Sequence, residues 1–391
     1  MIRGWNGIVG GLVGISLWIA PTTARAEWVG TVVMSGLNNP RGLALGPDGS
    51  LYVAESGRGG QGPSITSGDG QKVSYGDSGS LSRLRNGVQE RVATGLPSLA
   101  PDGGGGATGL QDIAFNSAGE LFGVIGLGAD PALRTQLGAA GDGFGRLVRL
   151  PLDGGPIVGI ANLANFEASQ NPDGGESNSN LFGLVAAPGG GFLVTDAGAN
   201  AVLRVSGQGS ISTLTTVLPR PNPLPFGPPT IESVPTGITI GPDGAAYFGE
   251  LTGGPFPPGA ANIYRVDLGT GQRTTFLTGF TNLMDLAFGP DGALYALQLT
   301  TNGLASQTGP GPGLLTRIDL QTGARTVIAS AGLSFPTALV VGPDNTIYVS
   351  NGGTEPGTGQ VVRFSAVPEP ATVVLLGLGL VGLVGVARRG R

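Results

Sequence analysis

The sequence contains no histidine and no cysteine among its 391 residues, and only 12% of its residues are charged. The absence of histidine excludes Ser-His-Asp and Cys-His catalysis, and the two absences together exclude Cys/His zinc sites and haem held by these residues. No disulfide can stabilise the fold. Any metal site must therefore be built from oxygen ligands, which suit Ca²⁺ or Mg²⁺. The net charge of −5 offers no basic surface for nucleic acid, so no nucleic-acid partner is predicted.

Glycine and proline, in contrast, are abundant. The 74 Gly and 30 Pro make up roughly a quarter of the chain. Because each glycine in a helix costs about 1 kcal/mol relative to alanine, long helices are disfavoured. A hydrophobic content of 40% argues against disorder. The composition predicts short strands joined by many turns.

The N-terminus has the three parts of a secretory signal peptide. A basic start at residues 1–3 precedes an apolar run from Ile8 to Ala20, and Ala24-Arg25-Ala26 provides a small-residue cleavage site. The run is shorter than the roughly 20 residues that a membrane span requires. We therefore predict a signal peptide over residues 1–26, with a membrane anchor as the alternative.

The C-terminus, residues 367–391, combines Val367-Pro-Glu-Pro370, an apolar run from Ala371 to Ala387 and a terminal arginine cluster. By physics alone this segment predicts a short transmembrane tail anchor. The three parts resemble the PEP-CTERM sorting signal of Gram-negative bacteria and cyanobacteria. The resemblance implies transient membrane anchoring, processing by an exosortase, and delivery to the periplasm, cell surface or extracellular matrix. Permanent anchoring is the alternative.

A strand–turn–strand unit recurs six times between these two ends. Its core, Gly-Pro-Asp-Gly, favours a tight turn because Pro presets φ, Asp bonds its own backbone and Gly accepts positive φ. A second hairpin follows each unit, which gives four strands per repeat and is typical of propeller blades. The six units are Gly42–Glu55, Asp112–Ile125, Gly183–Asp196, Gly237–Glu250, Asp285–Gln298 and Ala338–Asn351.

The count of strands also predicts how the ring closes. The sixth unit is followed by one strand only, Gln360–Phe364, while a spare strand, Trp28–Met34, precedes the first unit. The spare strand can complete the last blade and leave no open edge. We therefore predict an all-β, six-bladed β-propeller over residues 27–366, of the NHL/gluconolactonase-like type. A β-sandwich array or an open solenoid is the alternative.

Polar residues mark one face of this propeller. The long connections share the face opposite the tight turns, and the ends of the second strands and starts of the inner strands reach it. Oxygen ligands placed there predict a Ca²⁺ site at the mouth of the central tunnel, and no other cofactor is predicted. The alternative is ordinary polarity at strand ends, with bonds to nearby backbone N–H groups. The candidate ligands are Glu55, Asp112, Asp196, Glu250, Asp285 and Asn351.

Three motifs lie close together near the first repeat. They are the segment Leu37–Ala44, the Gly-Pro-Asp-Gly-x-Leu-Tyr-Val-Ala-Glu run that ends at Glu55, and the following Gly57-Arg-Gly-Gly60. Together they resemble the ScyD/ScyE-like family of scytonemin biosynthesis. NHL and gluconolactonase-like propellers share the same hairpin. The resemblance implies an exported propeller in the biosynthesis of an indolic-phenolic pigment.

Two functions follow from these observations. The first is a binding or scaffold protein of the cell envelope or extracellular matrix, whose partner is a small aromatic molecule or a matrix component. The second is a Ca²⁺-dependent, lactonase-like hydrolase that uses the carboxylates at the tunnel mouth. Without histidine, the hydrolase would need an Asp or Glu base or a metal-bound water. The sequence favours binding over catalysis.

Overall fold

The computed structural model describes residues 27–367, which form six antiparallel sheets. The inner strand of each sheet contacts the inner strand of the next, and the last contacts the first, so the sheets close into a ring. The fold is the predicted six-bladed β-propeller. The predicted signal peptide (1–26) and the predicted transmembrane run (371–387) lie outside the described residues. Within residues 27–367 no helix is long and apolar enough to cross a membrane.

Each blade is described from its inner strand outwards. Blade 1 contains Pro40–Leu45, Leu51–Glu55, Lys72–Arg85 and Val88–Ala100, with Ser64–Thr66 added beside the third strand. Blade 2 contains Leu110–Phe115, Leu121–Ile125, Arg146–Arg149 and Val158–Asn162. Blade 3 contains Leu181–Ala186, Phe192–Asp196, Ala201–Val205 and Ile211–Thr216.

The second half of the ring continues in the same way. Blade 4 contains Pro235–Ile240, Ala246–Glu250, Ala261–Val266 and Arg273–Phe280. Blade 5 contains Leu283–Phe288, Leu294–Gln298, Leu314–Ile318 and Arg325–Ala329. Blade 6 contains Ala338–Val341, Ile347–Asn351, Pro356–Val367 and, outermost, Glu27–Asn38. The strand Glu27–Asn38 therefore closes the ring as predicted.

The Gly-Pro-Asp-Gly turns form for the predicted local reasons. In blade 1 the Gly46 N–H donates to Ser50 O at 2.8 Å, and Asp48 Oδ1 accepts from the Ser50 N–H at 3.0 Å. Gly49 has φ of 76°, a conformation that L side chains rarely adopt. The turn is thus specified by four consecutive residues, independently of the rest of the fold.

Apolar faces of neighbouring blades pack against each other. Tyr52 of blade 1 meets Phe115 of blade 2 with ring centroids 5.3 Å apart, and Tyr247 of blade 4 meets Phe288 of blade 5 at 5.1 Å. Edge-to-face packing of this kind favours a fixed angle between blades. The core therefore lies between the sheets and leaves the central channel to the inner strands.

The long connections lie on the face opposite the tight turns, which we call the loop face. They contain more helix and strand than the sequence indicates. A 3₁₀ segment, Pro131–Gly143, which is interrupted by a kink at Gly138, lies within blade 2, and an α-helix, Leu163–Gln170, leads from blade 2 to blade 3. A two-stranded ribbon of Arg220–Pro221 and Thr230–Ile231 precedes blade 4.

Candidate functional site

The polar residues that end the second strands are buried rather than solvated. Glu55, Asp196 and Glu250 are 0% exposed, and Gln298 and Asn351 are 7% exposed. Each accepts a hydrogen bond from a group 16 or 17 residues earlier, on the connection that enters the same blade. The donors are Asn38 N (2.6 Å), Asn180 N (2.7 Å), Ser233 Oγ (2.7 Å), Thr281 N (2.5 Å) and Ser334 N (2.7 Å), in that order.

Glu55 forms a buried ion pair. Its carboxylate accepts from Arg91 Nε at 2.9 Å, from Arg91 Nη2 at 2.8 Å and from Ser82 Oγ at 2.6 Å. Burial alone would raise the pKa of Glu55, but the bonds from Arg91, Ser82 and the Asn38 N–H hold it below its ordinary value. Because Asn38 ends the closing strand of blade 6, this carboxylate fastens the last blade to the first.

Glu250 and Asp196 likewise accept hydrogen bonds from several protein donors. Glu250 accepts from Arg220 Nη1 at 2.9 Å and Nη2 at 2.6 Å, and also from the main chain and side chain of Asn262 at 2.8 and 2.7 Å. Asp196 accepts from Ser179 Oγ at 2.7 Å, besides main-chain N–H groups. These donors satisfy the carboxylate oxygens without a metal, although burial still raises the pKa of Asp196.

Asp112 and Asp285 occupy equivalent positions at the central channel. Asp112 Oδ2 accepts from the Leu184 N–H of blade 3 at 2.7 Å, and Asp285 Oδ2 accepts from the Leu339 N–H of blade 6 at 2.8 Å. Burial raises the pKa of Asp285 to about 7. Burial, and then the charge of Asp285, raise the pKa of Asp112 well above its ordinary value. The charge of Asp285 thus acts on Asp112, and each carboxylate also ties its blade to the following one.

The channel is narrow where these aspartates lie. Every inner strand from blade 1 to blade 5 carries a register shift near its start, where the regular pairing with the second strand is interrupted. Arg41 and Gln111 join the two aspartates in lining a cavity of only about 10 Å³. Arg41 is 8% exposed; its Nη2 donates to Ala107 O at 2.9 Å, and its Nε has no partner within residues 27–367. Burial lowers the pKa of Arg41 to about 10.

A larger cavity, about 450 Å³, opens on the loop face. It is lined by the connections of blades 1 to 4, and its wall combines apolar side chains with uncharged polar groups. The Oδ1 atoms of Asn178 and Asn180 are buried and have no hydrogen-bond partner within residues 27–367. Asp69 is the charged residue among those lining the cavity. Other lining residues include Gln71, Val73, Leu99, Thr108, Leu127, Val234 and Leu251.

The structure therefore divides the six predicted ligands. It brings Asp112 and Asp285 together, and it places Glu55, Asp196, Glu250 and Asn351 in four separate hydrogen-bond networks. Within residues 27–367 no group of three or more acidic side chains could hold a metal ion. A cation shared by all six residues stays a prediction that these contacts do not support.

The sequence predicted which face of the propeller is functional, but it did not reveal which residues line this loop-face pocket. Asn178 and Asn180 lie in one of the long connections, 165–180, and carry no periodic signal. A lining with a single charged residue, Asp69, also leaves no conspicuous motif in the sequence. The one available clue was the position of the long connections on a single face.

Comparisons with known proteins support export and the fold. The family model of the PEP-CTERM protein-sorting motif matches residues 366–391. This motif is a recognition signal for exosortase processing, so the chain carries the mark of an exported protein. A search of curated proteins gives no significant match. The resemblance to the ScyD/ScyE-like family stays a prediction.

Several solved structures share the architecture at low sequence identity. A Bacteroides thetaiotaomicron protein of unknown function has 8% identity and a TM-score of 0.54 over 88% of this chain and 77% of its own. A Thermus thermophilus putative oxidoreductase (glucose dehydrogenase) has 18% identity and a TM-score of 0.50 over 87% and 100%. The calcium-binding protein regucalcin from Agrobacterium tumefaciens has 14% identity and a TM-score of 0.49 over 87% and 95%. Likeness at this identity concerns the fold alone.

Proposed function

We propose that this protein is an exported binding propeller whose loop-face pocket takes a small, uncharged organic molecule. The observation that carries the proposal is the cavity of about 450 Å³, within the range of small-molecule sites, whose lining includes Asn180, a residue with a buried amide oxygen that has no hydrogen-bond partner within residues 27–367. A buried acceptor without a donor costs about 1–3 kcal/mol. A ligand that donates a hydrogen bond to Asn180 would remove this cost.

The lining defines the class of ligand. Val73, Leu99, Leu127 and Leu251 offer an apolar surface, and no arginine or lysine is among the lining residues to balance an anionic group. A flat apolar molecule with a hydroxyl group fits these properties, and phenolic or indolic alcohols are of this kind. The resemblance to scytonemin-pathway proteins points to the same chemical class.

A hydrolase is the second candidate, and its support is weaker. The carboxylates with raised pKa, Asp112 and Asp285, could supply a base without histidine. The cavity between them is about 10 Å³, which is room for one water molecule and for no substrate. Both carboxylates also hold backbone N–H groups of the neighbouring blade. These properties favour a structural role for the pair and binding as the function.

Calorimetry with tyrosol, a neutral phenolic alcohol, tests the proposal on the full chain. We expect tyrosol to bind, and 4-hydroxyphenylacetate, its carboxylate counterpart, to bind at least about tenfold more weakly because the pocket offers no cation. Replacing Asn180 with leucine should weaken tyrosol binding by about five- to tenfold, the effect of one lost hydrogen bond. Gln208→Leu is the matched control, since Gln208 lies on an exposed turn of the opposite face.

A substitution that reduces the free volume of the pocket gives a second readout. Leu251→Trp should reduce the free volume of the cavity and weaken tyrosol binding while the melting temperature stays close to that of the parent chain. Absence of tyrosol binding by the parent, or equal affinities in the parent and both pocket variants, would overturn the proposal.

A further inference from the structure

A buried carboxylate without a full set of partners lies between blades 2 and 3. Glu167 belongs to the helix Leu163–Gln170 and is 1% exposed. Its Oε1 accepts one long bond, 3.4 Å, from the Asn178 N–H, and its Oε2 has no hydrogen-bond partner within residues 27–367. The ion pairs of this part of the chain do not include Glu167. Burial, and then the charge of Asp196, raise the pKa of Glu167 to about 7.

Two side-chain amide oxygens of the same connection, those of Asn171 and Asn178, are also buried without a hydrogen-bond partner within residues 27–367. Asn171 Nδ2 donates to Gly175 O at 2.8 Å, which fixes the amide and leaves its Oδ1 buried without a donor. Asn178 Oδ1 also lacks a donor, and the main-chain bond described above places Asn178 beside Glu167. Buried oxygen acceptors are nearly always partnered, and a bound ion or water is a common partner where the protein supplies none. Several such oxygens in one short segment therefore indicate a ligand outside the polypeptide.

The surroundings are acidic. Asn200 Nδ2 donates to Asp173 at 2.9 Å and to Glu232 at 2.8 Å, so two carboxylates share one amide. Burial raises the pKa of Glu232, and the charges of Asp173 and Glu176 raise it further. None of these carboxylates belongs to the ion pairs formed within residues 27–367. A bound cation would relieve this repulsion.

We propose that the connection between blades 2 and 3 binds one Ca²⁺ ion through Glu167 Oε2 and Asn178 Oδ1, with main-chain oxygens and water completing the shell. Ca²⁺ accepts carboxylate, amide and main-chain oxygens in flexible geometry, whereas Mg²⁺ demands a near-ideal octahedron and releases its water reluctantly. A single close carboxylate places the site among weak ones, with a Kd of about 10⁻⁴–10⁻³ M, as in extracellular modules. The residues differ from the six that the sequence predicted.

The ion site adjoins the loop-face pocket. Asn178 lines that pocket as well, so an ion bound to Asn178 would fix part of the pocket wall. This consequence rests on the proposed ligand-binding function, whereas the ion site itself does not. Calcium binding and tyrosol binding are therefore measured separately, the second in the presence and absence of a chelator.

Calorimetry of the chelator-treated full chain with CaCl₂, and in parallel with MgCl₂, tests the site. We expect one Ca²⁺ per chain and at least about tenfold weaker Mg²⁺ binding. Glu167→Gln keeps the volume of the side chain and removes its charge, so it should weaken Ca²⁺ binding at least tenfold. Glu55→Gln, a change at an occupied carboxylate elsewhere on the ring, should leave Ca²⁺ affinity unchanged.

The melting temperature gives a second readout, because an ion that binds only the folded chain raises it. We expect 10 mM CaCl₂ to raise the melting temperature of the parent and of Glu55→Gln, and not that of Glu167→Gln. Should Glu167→Gln fail to fold by circular dichroism, Asn178→Ala decides in its place. No Ca²⁺ binding by the parent, or unchanged affinity in the folded variant, would refute the site.

Discussion

Replacing Arg91 with methionine tests whether the ion pair at the seam of the ring stabilises it. Glu55 is 0% exposed, and the change removes its cationic partner while two neutral donors remain. Removing one partner of a buried ion pair costs about 3–5 kcal/mol. The Arg91 side chain is 40% exposed, so solvent screens the pair and we reduce the expected loss to about 2–3 kcal/mol.

The sign of the pH dependence sharpens this prediction. In the parent the pKa of Glu55 is lowered, so its contribution to stability is present above its ordinary value of 4.5 and is lost as the pH falls further. Without Arg91, burial dominates and favours the protonated carboxyl. The difference between variant and parent should therefore be large at pH 7 and shrink towards pH 4.5.

Urea unfolding followed by circular dichroism measures both quantities. Arg149→Met is the matched control, because Arg149 pairs with Glu120 at 3.4 Å and both side chains are more than 40% exposed. The control should lose no more than about 1 kcal/mol. Equal losses in the two variants, or an Arg91→Met deficit that is the same at pH 7 and pH 4.5, would refute the reasoning.

Two further predictions concern the central channel. Gly42→Ala should lower the free energy of unfolding in urea by about 3 kcal/mol, because a Cβ there would lie 2.6 Å from Asp112 Cα. Gly207→Ala, with open space around it, is the control and should change the free energy of unfolding by less than about 0.5 kcal/mol. Similar losses in the two variants would contradict this prediction. The raised pKa of Asp285, about 7 against an ordinary 3.8, makes the folded state hold a proton that the unfolded chain releases, so stability falls as the pH rises between these values. Asp285→Asn should flatten the pH dependence of the unfolding free energy between pH 5 and pH 8, and an unchanged slope would argue against the assignment.

The fold could be predicted because its determinants are local or countable. The turn at Gly46–Gly49 is encoded by four consecutive residues. The closing strand could be inferred because the last repeat lacks one strand and one spare strand precedes the first repeat. The partners of the strand-end carboxylates could not be predicted in this way. Arg91 is 36 residues from Glu55 and Arg220 is 30 residues from Glu250, at positions that differ from blade to blade.

Some buried side-chain oxygens of this propeller accept hydrogen bonds from protein donors, and others have no partner within residues 27–367. Glu55 and Glu250 are charged, buried and near the loop face, which made them candidate ligands in the sequence, yet each is surrounded by donors from the protein. Glu167, Asn178 and Asn180 are less conspicuous in the sequence, yet they are among the residues whose buried oxygens have no hydrogen-bond partner within residues 27–367. Burial of an unpartnered acceptor is unfavourable, and a ligand that supplies the missing donor or cation would remove this cost. In a chain without histidine or cysteine, we therefore base the proposed sites on unpartnered oxygens that line a cavity or accompany a buried carboxylate, and not on charge alone.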